Sequence, residues 1–390
     1  MLDRLTSLLR PETKSSATVG LAAVTRPAGP VWTPRDYASL ARAGYERNVV
    51  AYRCVRLVSE AAASAPLVIE DAGGQMADHP LTELLRRPNA DEAGPTLLER
   101  VYGYLQTAGN AYIEAVSLDD GEIRELHALR PDRMKLRLGA DGWVEGYDYT
   151  VSGRSAAFRR GADGFSPILH LKLFHPTNDH YGLSPLEAAA APVDLHNASL
   201  AWNKALLDNA ARPSGALVYR GPQGAENLTS EQFDRLKAEL SDAYSGPTNA
   251  GRPLLLDGGL DWKSMSFTPS DMDFQEAKNS AAREIALAFG VPPMLLGIPG
   301  DNTYSNYREA NLAFWKQTIL PLVKKTAASL SNWLGPRFDA ARIACDVGAI
   351  EALAAERDAA WARITAADFL SDDEKRRLVG MPPLEELRDA

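Results

Sequence analysis

The apolar spacing of this chain changes period twice, and those two switches constrain its fold more than any single motif. Between residues 48 and 109 apolar side chains recur every three or four positions. Asn48 offers an N-cap, and Val50, Cys54, Leu57, Val58, Ala61 and Ala65 follow at helical spacing until Pro66 stops the pattern. After a short strand over residues 67 to 69 and a Gly73-Gly74 turn, a second helix opens on the capping box Thr96-Leu97-Leu98-Glu99. It carries Leu98, Val101 and Leu105 on one face up to Gly109. From Ala111 to Phe174 the period falls to two, with turns at Asp120-Gly121 and Asp141-Gly142 and strand-like runs at 134–138, 143–151 and 168–173. The pattern predicts an α+β domain of about 130 residues, an antiparallel strand block behind two helices.

Helical spacing then returns. Ser184-Pro185-Leu186-Glu187 is a strong helix start, and the helix should run to about residue 209, with Pro192 forcing a kink or two abutting segments. After Arg212-Pro213-Ser214-Gly215 comes a compact unit with strands near 216–219, 253–256 and 260–266 and a helix over 230–244. Another helix starts at Ser270 and places Phe274, Ala277, Ala281, Ile285 and Ala288 on one face, with Gly290 as C-cap and Pro292-Pro293 as the stop. A short polar loop, residues 297–305, leads into a long helix over about 306–334. Its apolar side holds Leu312, Trp315, Ile319, Leu322, Val323, Leu330 and Trp333, with a kink expected at Pro321. Residues 336–390 read as helical and more polar, with Ser371-Asp372-Asp373-Glu374 as a helix start. The first 47 residues, with Pro27, Gly29, Pro30 and Pro34 clustered, read as an extended arm.

Sixty Ala among 390 residues favour closely packed helices, and 42 basic against 51 acidic side chains leave a charge of −9, which disfavours tight nonspecific binding of nucleic acid. The two cysteines, Cys54 and Cys345, build neither a disulfide framework nor a thiolate zinc site and read as buried thiols. Charges interrupt the N-terminal apolar residues, and no run approaches the ~18 apolar residues of a membrane helix, so the expectation is a soluble intracellular product with no membrane contact. There is no Gly-Lys pair, hence no phosphate-cradling P-loop, and no His-Glu-x-x-His or Gly-x-Ser-x-Gly. His170, His175 and His180 recur every five residues, which puts successive members on opposite faces of a strand, so they read as structural histidines rather than metal ligands. Asp271 and Asp273 could hold a magnesium ion, but first-turn carboxylates also offset a helix dipole. Trp315 and Trp333 read as core or subunit contacts. No catalytic residue, metal site or cofactor follows.

The order of parts resembles the portal, or head-tail connector, family of tailed bacteriophages. The residues that carry the resemblance are the run 48–66, His79-Pro80-Leu81 with Leu84-Leu85-Arg86-Arg87-Pro88-Asn89, Gly109-Asn110-Ala111-Tyr112 and Leu129-Arg130-Pro131-Asp132-Arg133. It continues through Tyr181-Gly182-Leu183-Ser184-Pro185-Leu186, Arg212-Pro213-Ser214-Gly215, the run 290–297, Thr303-Tyr304-Ser305-Asn306 and Gly380-Met381-Pro382-Pro383-Leu384-Glu385. Length and Ala content are also similar to portals of gene transfer agents, phage-like particles made by some bacteria. The resemblance implies a portal fold: an N-terminal arm (1–47), an α/β wing (48–183), a stem helix (184–210), a small α/β clip (211–268) and a second stem helix (269–291). A tunnel loop (292–305), a long spine helix (306–335) and a helical crown (336–390) complete it.

The same resemblance implies a ring of about twelve subunits at one capsid vertex. The ring would sit in a virion or phage-like particle after assembly in the bacterial cytoplasm. Its implied partners are the major capsid protein, the terminase packaging motor, a head-tail adaptor and double-stranded DNA passing through the channel in packaging and ejection. The implied channel residues are Gly300, Asp301, Asn302, Thr303 and Tyr304 of the tunnel loop, with Asp271, Asp273, Glu276 and Lys278 of the stem. Residues 270–310 hold six acidic and three basic side chains, which suits a wall that must not grip its cargo, so a mostly negative channel is expected. Two other readings are a metal-dependent DNA-processing enzyme using the acidic pairs and a channel-less adaptor or scaffold.

Overall fold

The chain enters its first long helix through two helical turns. A computed structural model describes residues 32–379, apart from 72–73, 76–77, 119–120, 209–214, 220–230, 232–233, 236–237, 239–259, 265–273, 300–303 and 340. Tyr37–Leu40 (α1) starts at Asp36, whose side chain accepts from the Ser39 N–H, and continues as a π-helical turn over Ala41–Glu46. Residues 37–46 are therefore helical, where proline clustering upstream suggested an extended arm. Gly44 permits the close approach of Leu186, whose side chain a Cβ at that position would overlap.

Asn48 caps Val49–Ser64 (α2), its Oδ1 accepting from the N–H groups of Val50 and Ala51 at 3.1 and 3.0 Å. The helix buries Ala51, Cys54, Val55, Val58 and Ala62; of the series read from the spacing, Cys54 and Val58 lie on that face, whereas Val50, Leu57 and Ala61 are half-buried, so the buried face is rotated from the expected one. Leu67–Asp71 (β1) pairs with Gly74–Gln75 (β2), and Pro80–Arg86 (α3) follows with His79 as its cap. The next helix begins at Gly94, earlier than the capping box placed it: Gly94–Ala108 (α4) has Pro95 in its first turn and no side-chain cap, so Thr96 and Glu99 lie inside it. Proline's fixed φ is preorganised for a first turn, and it wins over the Thr96 signal.

The period-two stretch forms two sheets. Asn110–Ser117 (β3), Ile123–Leu129 (β4) and Ile168–Lys172 (β8) make one, in the order β4-β3-β8. Met134–Leu138 (β5), Val144–Val151 (β6) and Arg154–Arg159 (β7) make the other, in that order. Alternation along β3 explains the layering: Ala111, Ile113 and Ala115 join the helical core, whereas Tyr112 joins Leu129, Met134 and Ile168 beneath Tyr147, Tyr149 and Phe158 of the second sheet. The central strand is covered on both faces.

Pro185–Ala188 (α5) is capped by Ser184, whose Oγ accepts from the Glu187 N–H at 2.9 Å. The chain breaks at Ala189 and resumes as Ala190–Asp208 (α6), which places Pro192 in a first turn where its missing N–H costs nothing. Gly215–Tyr219 (β9) and Leu260–Ser264 (β10) form an antiparallel pair; the expected strand at 253–256 lies outside the described residues, as does most of the helix over 230–244. Phe274–Ala288 (α7) packs against α6.

The long helix is interrupted. Tyr304–Phe314 (α8) passes through a π-helical turn, Trp315–Ile319, into Leu320–Leu334 (α9), and this irregularity lies in the turn preceding Pro321, where the ring and the absent N–H disturb α-helical pairing. Val323, Ala327, Leu330 and Leu334 are buried, and Trp333 stacks on Phe165 while its indole N–H donates to the Ser166 carbonyl at 2.7 Å.

The C-terminal part holds a strand that periodicity did not reveal. Arg342–Cys345 (β11) pairs antiparallel with β1, Leu67 opposite Cys345 and Ile69 opposite Ile343, so segments far apart in the chain share one sheet. Ala354–Thr365 (α10) and Asp372–Leu378 (α11) follow, the latter at the helix start read from sequence and closed by a complete Ser371/Glu374 capping box. Among the described residues no helix is long and apolar enough to cross a membrane.

Candidate channel face and its anchors

Helix α7 presents one open stripe. Gln275, Glu276, Ser280, Arg283, Glu284 and Leu287 are exposed at spacings of three and four, whereas Ala281, Ala282, Ile285, Ala286 and Phe289 are buried. Glu276 lies on this stripe. Lys278 does not: two positions further along, it is half-buried, and its charge acts on His196 of α6. The two described stem residues named from sequence therefore occupy different faces. Asp271 and Asp273 lie outside the described residues, as do Gly300, Asp301, Asn302 and Thr303; the backbone of Tyr304 begins α8.

Both ends of the segment leading to that loop are fixed. Gly290 ends α7 at φ +64°, and Val291 N–H reaches the Ala286 carbonyl at 2.9 Å, a turn that only a left-handed residue closes. Thr318, in the π-helical turn, donates its hydroxyl to the Gly290 carbonyl at 2.7 Å. Gly297, at φ +71°, closes the short 3₁₀ turn Pro293–Leu296, and Ile298 is buried. The Arg283 guanidinium donates to the Pro299 carbonyl. Pro299, the last described residue before position 300, is thus tied to the exposed stripe of α7. Sequence reasoning missed Arg283 and Leu287. Leu287 is 79% exposed and falls outside the 274-277-281-285-288 apolar series, which was the available signal.

Helix α6 is held by a polar cluster. Asn48 Nδ2 donates to Asn197 Oδ1 at 3.0 Å and approaches His196 Nδ1 at 3.2 Å; Asn197 in turn donates to the Ala43 carbonyl at 2.9 Å. Asp194 accepts from both the N–H and the hydroxyl of Thr33. Burial, with the Lys278 charge adding to it, lowers the His196 pKa, so its imidazole is neutral and available to Asn48.

A second junction joins the α4–β3 turn and β8 to the segment before α5. Asn110 Oδ1 accepts from the Gly182 N–H at 2.8 Å and from His170 Nε2 at 3.0 Å, and its Nδ2 donates to the Ala108 carbonyl at 2.8 Å. Gly109, at φ +70°, and Gly182 face each other so closely that a Cβ on either would overlap the other's carbonyl, and the Leu173 N–H bonds to the Gly109 carbonyl at 2.9 Å. His170 stacks on Tyr112 at 4.4 Å, and burial, reinforced by Lys172, lowers its pKa to about 3. It is a structural donor. Cys54 is likewise unreactive, its thiol pushed up to about 12 by burial. Among the described residues no group of three His, Cys, Asp or Glu could hold a metal ion.

Comparison with known proteins matches this architecture. The family profile of phage portal proteins matches residues 49–380. The portal protein of Enterobacteria phage HK97 is 27% identical over 345 residues, covering 85% of this chain and 78% of that protein. A chain in the neck of an empty gene transfer agent particle, computed with C6 symmetry, superposes with a TM-score of 0.72 at 54% identity, covering 91% of this chain and 96% of its own. A chain in the neck of the native particle, computed with C12 symmetry, gives 0.70 at 53% identity with the same coverage. With its two small antiparallel sheets, the packed helices α6 and α7 and an interrupted long helix, the chain belongs to the phage portal protein family.

Proposed function

We propose that the chain is the portal subunit of a phage or gene transfer agent particle, forming a twelve-membered ring around a DNA channel. The observation that carries this reading is the likeness, at 53% identity over 91% of the chain, to a subunit of a particle neck computed with C12 symmetry. Such a ring sits at the capsid vertex, passes double-stranded DNA during packaging and ejection, and meets the packaging motor and the head-tail adaptor. Its role is structural rather than catalytic. The open stripe of α7, with Glu276 and Glu284 among polar neighbours, supports a lumen-facing stem: carboxylates repel phosphates, and a wall that forms few phosphate contacts does not retain its cargo. Lys278, on the far side, is then a packing residue against α6. On this reading Gly300, Asp301, Asn302, Thr303 and Tyr304 are the residues proposed for the tunnel loop.

The test is assembly. Negative-stain images of the purified full chain should give rings with a central hole and twelvefold class averages. Monomers under all ionic and concentration conditions would favour a channel-less adaptor. Incubation with magnesium and DNA should leave the DNA intact; cleavage abolished by Asp271→Asn and Asp273→Asn would favour the processing enzyme.

A further inference from the structure

The acidic balance of the chain is not uniform. Residues 133–160, which contain the β5-β6-β7 sheet, hold six basic and three acidic side chains, a local charge of +3 in a chain of −9. Strand alternation sorts them. Met134, Tyr147, Tyr149 and Phe158 cover the first wing sheet, and the opposite face of the same strands carries Lys135, Arg137, Asp148 and Arg159. Lys135 is paired in register with Asp148, and Arg137 and Arg159 flank Gly146 in one row. Two strand spacings separate those arginine backbones by roughly 10 Å. A Cβ at Gly146 would overlap the Phe158 carbonyl, so the row has no side chain between its two arginines.

Arg137 makes an ion pair with Asp148 at 2.7 Å; among the described residues no carboxylate engages Lys135 or Arg159, and both are exposed. At the β5-β6 turn the Trp143 side chain is 76% exposed. β7 is an edge strand with only β6 as neighbour. This is an exposed cationic face with an aromatic at its rim, on a protein that is elsewhere anionic. Spread cations on an exposed face fit a ligand whose charge is dense, regular and independent of sequence. Duplex DNA carries one negative charge per about 1.7 Å of axis, so cations about 10 Å apart meet several phosphates in any register.

We propose that the outward face of the β5-β6-β7 sheet is a docking surface for double-stranded DNA, with Lys135, Arg137 and Arg159 contacting phosphates. The ligand is taken from the particle reading above, but the surface owes nothing to the channel. It is complete in one protomer and lies in the wing rather than the stem. DNA bound here is held at the outside of the subunit, while DNA in the channel slides.

The experiment uses the full chain and closed circular plasmid, which cannot thread a ring. Plasmid binding should weaken as salt rises. Lys135→Gln/Arg137→Gln/Arg159→Gln should weaken it at low salt by tenfold or more and reduce the slope of log K against log salt by roughly 2 to 3. The charge-preserving Lys135→Arg/Arg159→Lys should bind as the parent does, which guards against loss from misfolding. Equal plasmid affinity in the triple variant, capture of linear duplex alone, or binding of polyglutamate in preference to plasmid would each overturn the proposal, the last in favour of an acidic protein partner. A protein that binds plasmid yet never forms rings would contradict the portal reading and leave this one intact.

Discussion

The junction of Gly109, Asn110 and Gly182 and the open stripe of α7 are built from opposite materials. At the junction Gly109, Asn110 and Gly182 are packed until no Cβ fits between the two glycines, and every polar atom of Asn110 has a buried partner. Along α7 the side chains are exposed and the packing behind them is mostly alanine. The difference separates two demands. A subunit that must hold its shape concentrates irreplaceable residues where its layers meet, whereas a surface proposed only to let DNA pass needs charge and smoothness, which many side chains supply.

That contrast can be broken by substitution. The largest effect is expected at Gly182→Ala, where the new methyl overlaps backbone and cannot be relieved by a rotamer change. A loss above about 4 kcal/mol in urea unfolding, or failure to fold, is expected. Asn110→Ala strands the Gly182 N–H and His170 in the interior and should cost about 2 to 4 kcal/mol. Next comes pH. His170 and His196 both titrate lower in the folded chain than in the unfolded one, so between the unfolded value near 6.5 and the folded value of about 3 for His170 the unfolded state binds more protons. Stability should therefore be full above about pH 6.5 and fall as pH drops through that window. His170→Gln, which keeps a donor towards Asn110, should flatten the melting-temperature profile there. The smallest effect belongs to the stripe: Glu276→Gln and Glu284→Gln should change stability by less than about 0.5 kcal/mol and leave ring formation intact. A stripe substitution that unfolds the protein would erase the contrast.

Local signals in the sequence reached the helices whose start or face is written in neighbouring residues. Asn48, Ser184 and Ser371 all cap as their identities dictate. What failed was competition or distance. Pro95 displaced the Thr96 capping box, and the irregularity expected at Pro321 falls in the turn before it, because a proline disturbs the carbonyls behind it rather than its own position. The pairing of β1 with β11 joins residues more than 270 positions apart through a strand of four residues, too short to show a period. The split of the period-two block into two sheets depends on which face of β3 each neighbour covers, a tertiary choice that alternation alone leaves open. For the candidate channel, the family resemblance implied both Glu276 and Lys278 as stem residues. A separation of two positions on a helix sends them to different faces.

The central claim is that the exposed stripe of α7 faces DNA inside a closed ring. A side-chain-resolution image of the assembled full-length protein tests it most directly. The account predicts a twelvefold ring whose hole is lined by Glu276, Ser280, Glu284 and Leu287 at negative potential, with Lys135 and Arg159 outside it. A ring in which that stripe is buried between subunits, or whose lumen is continuously positive, would contradict it.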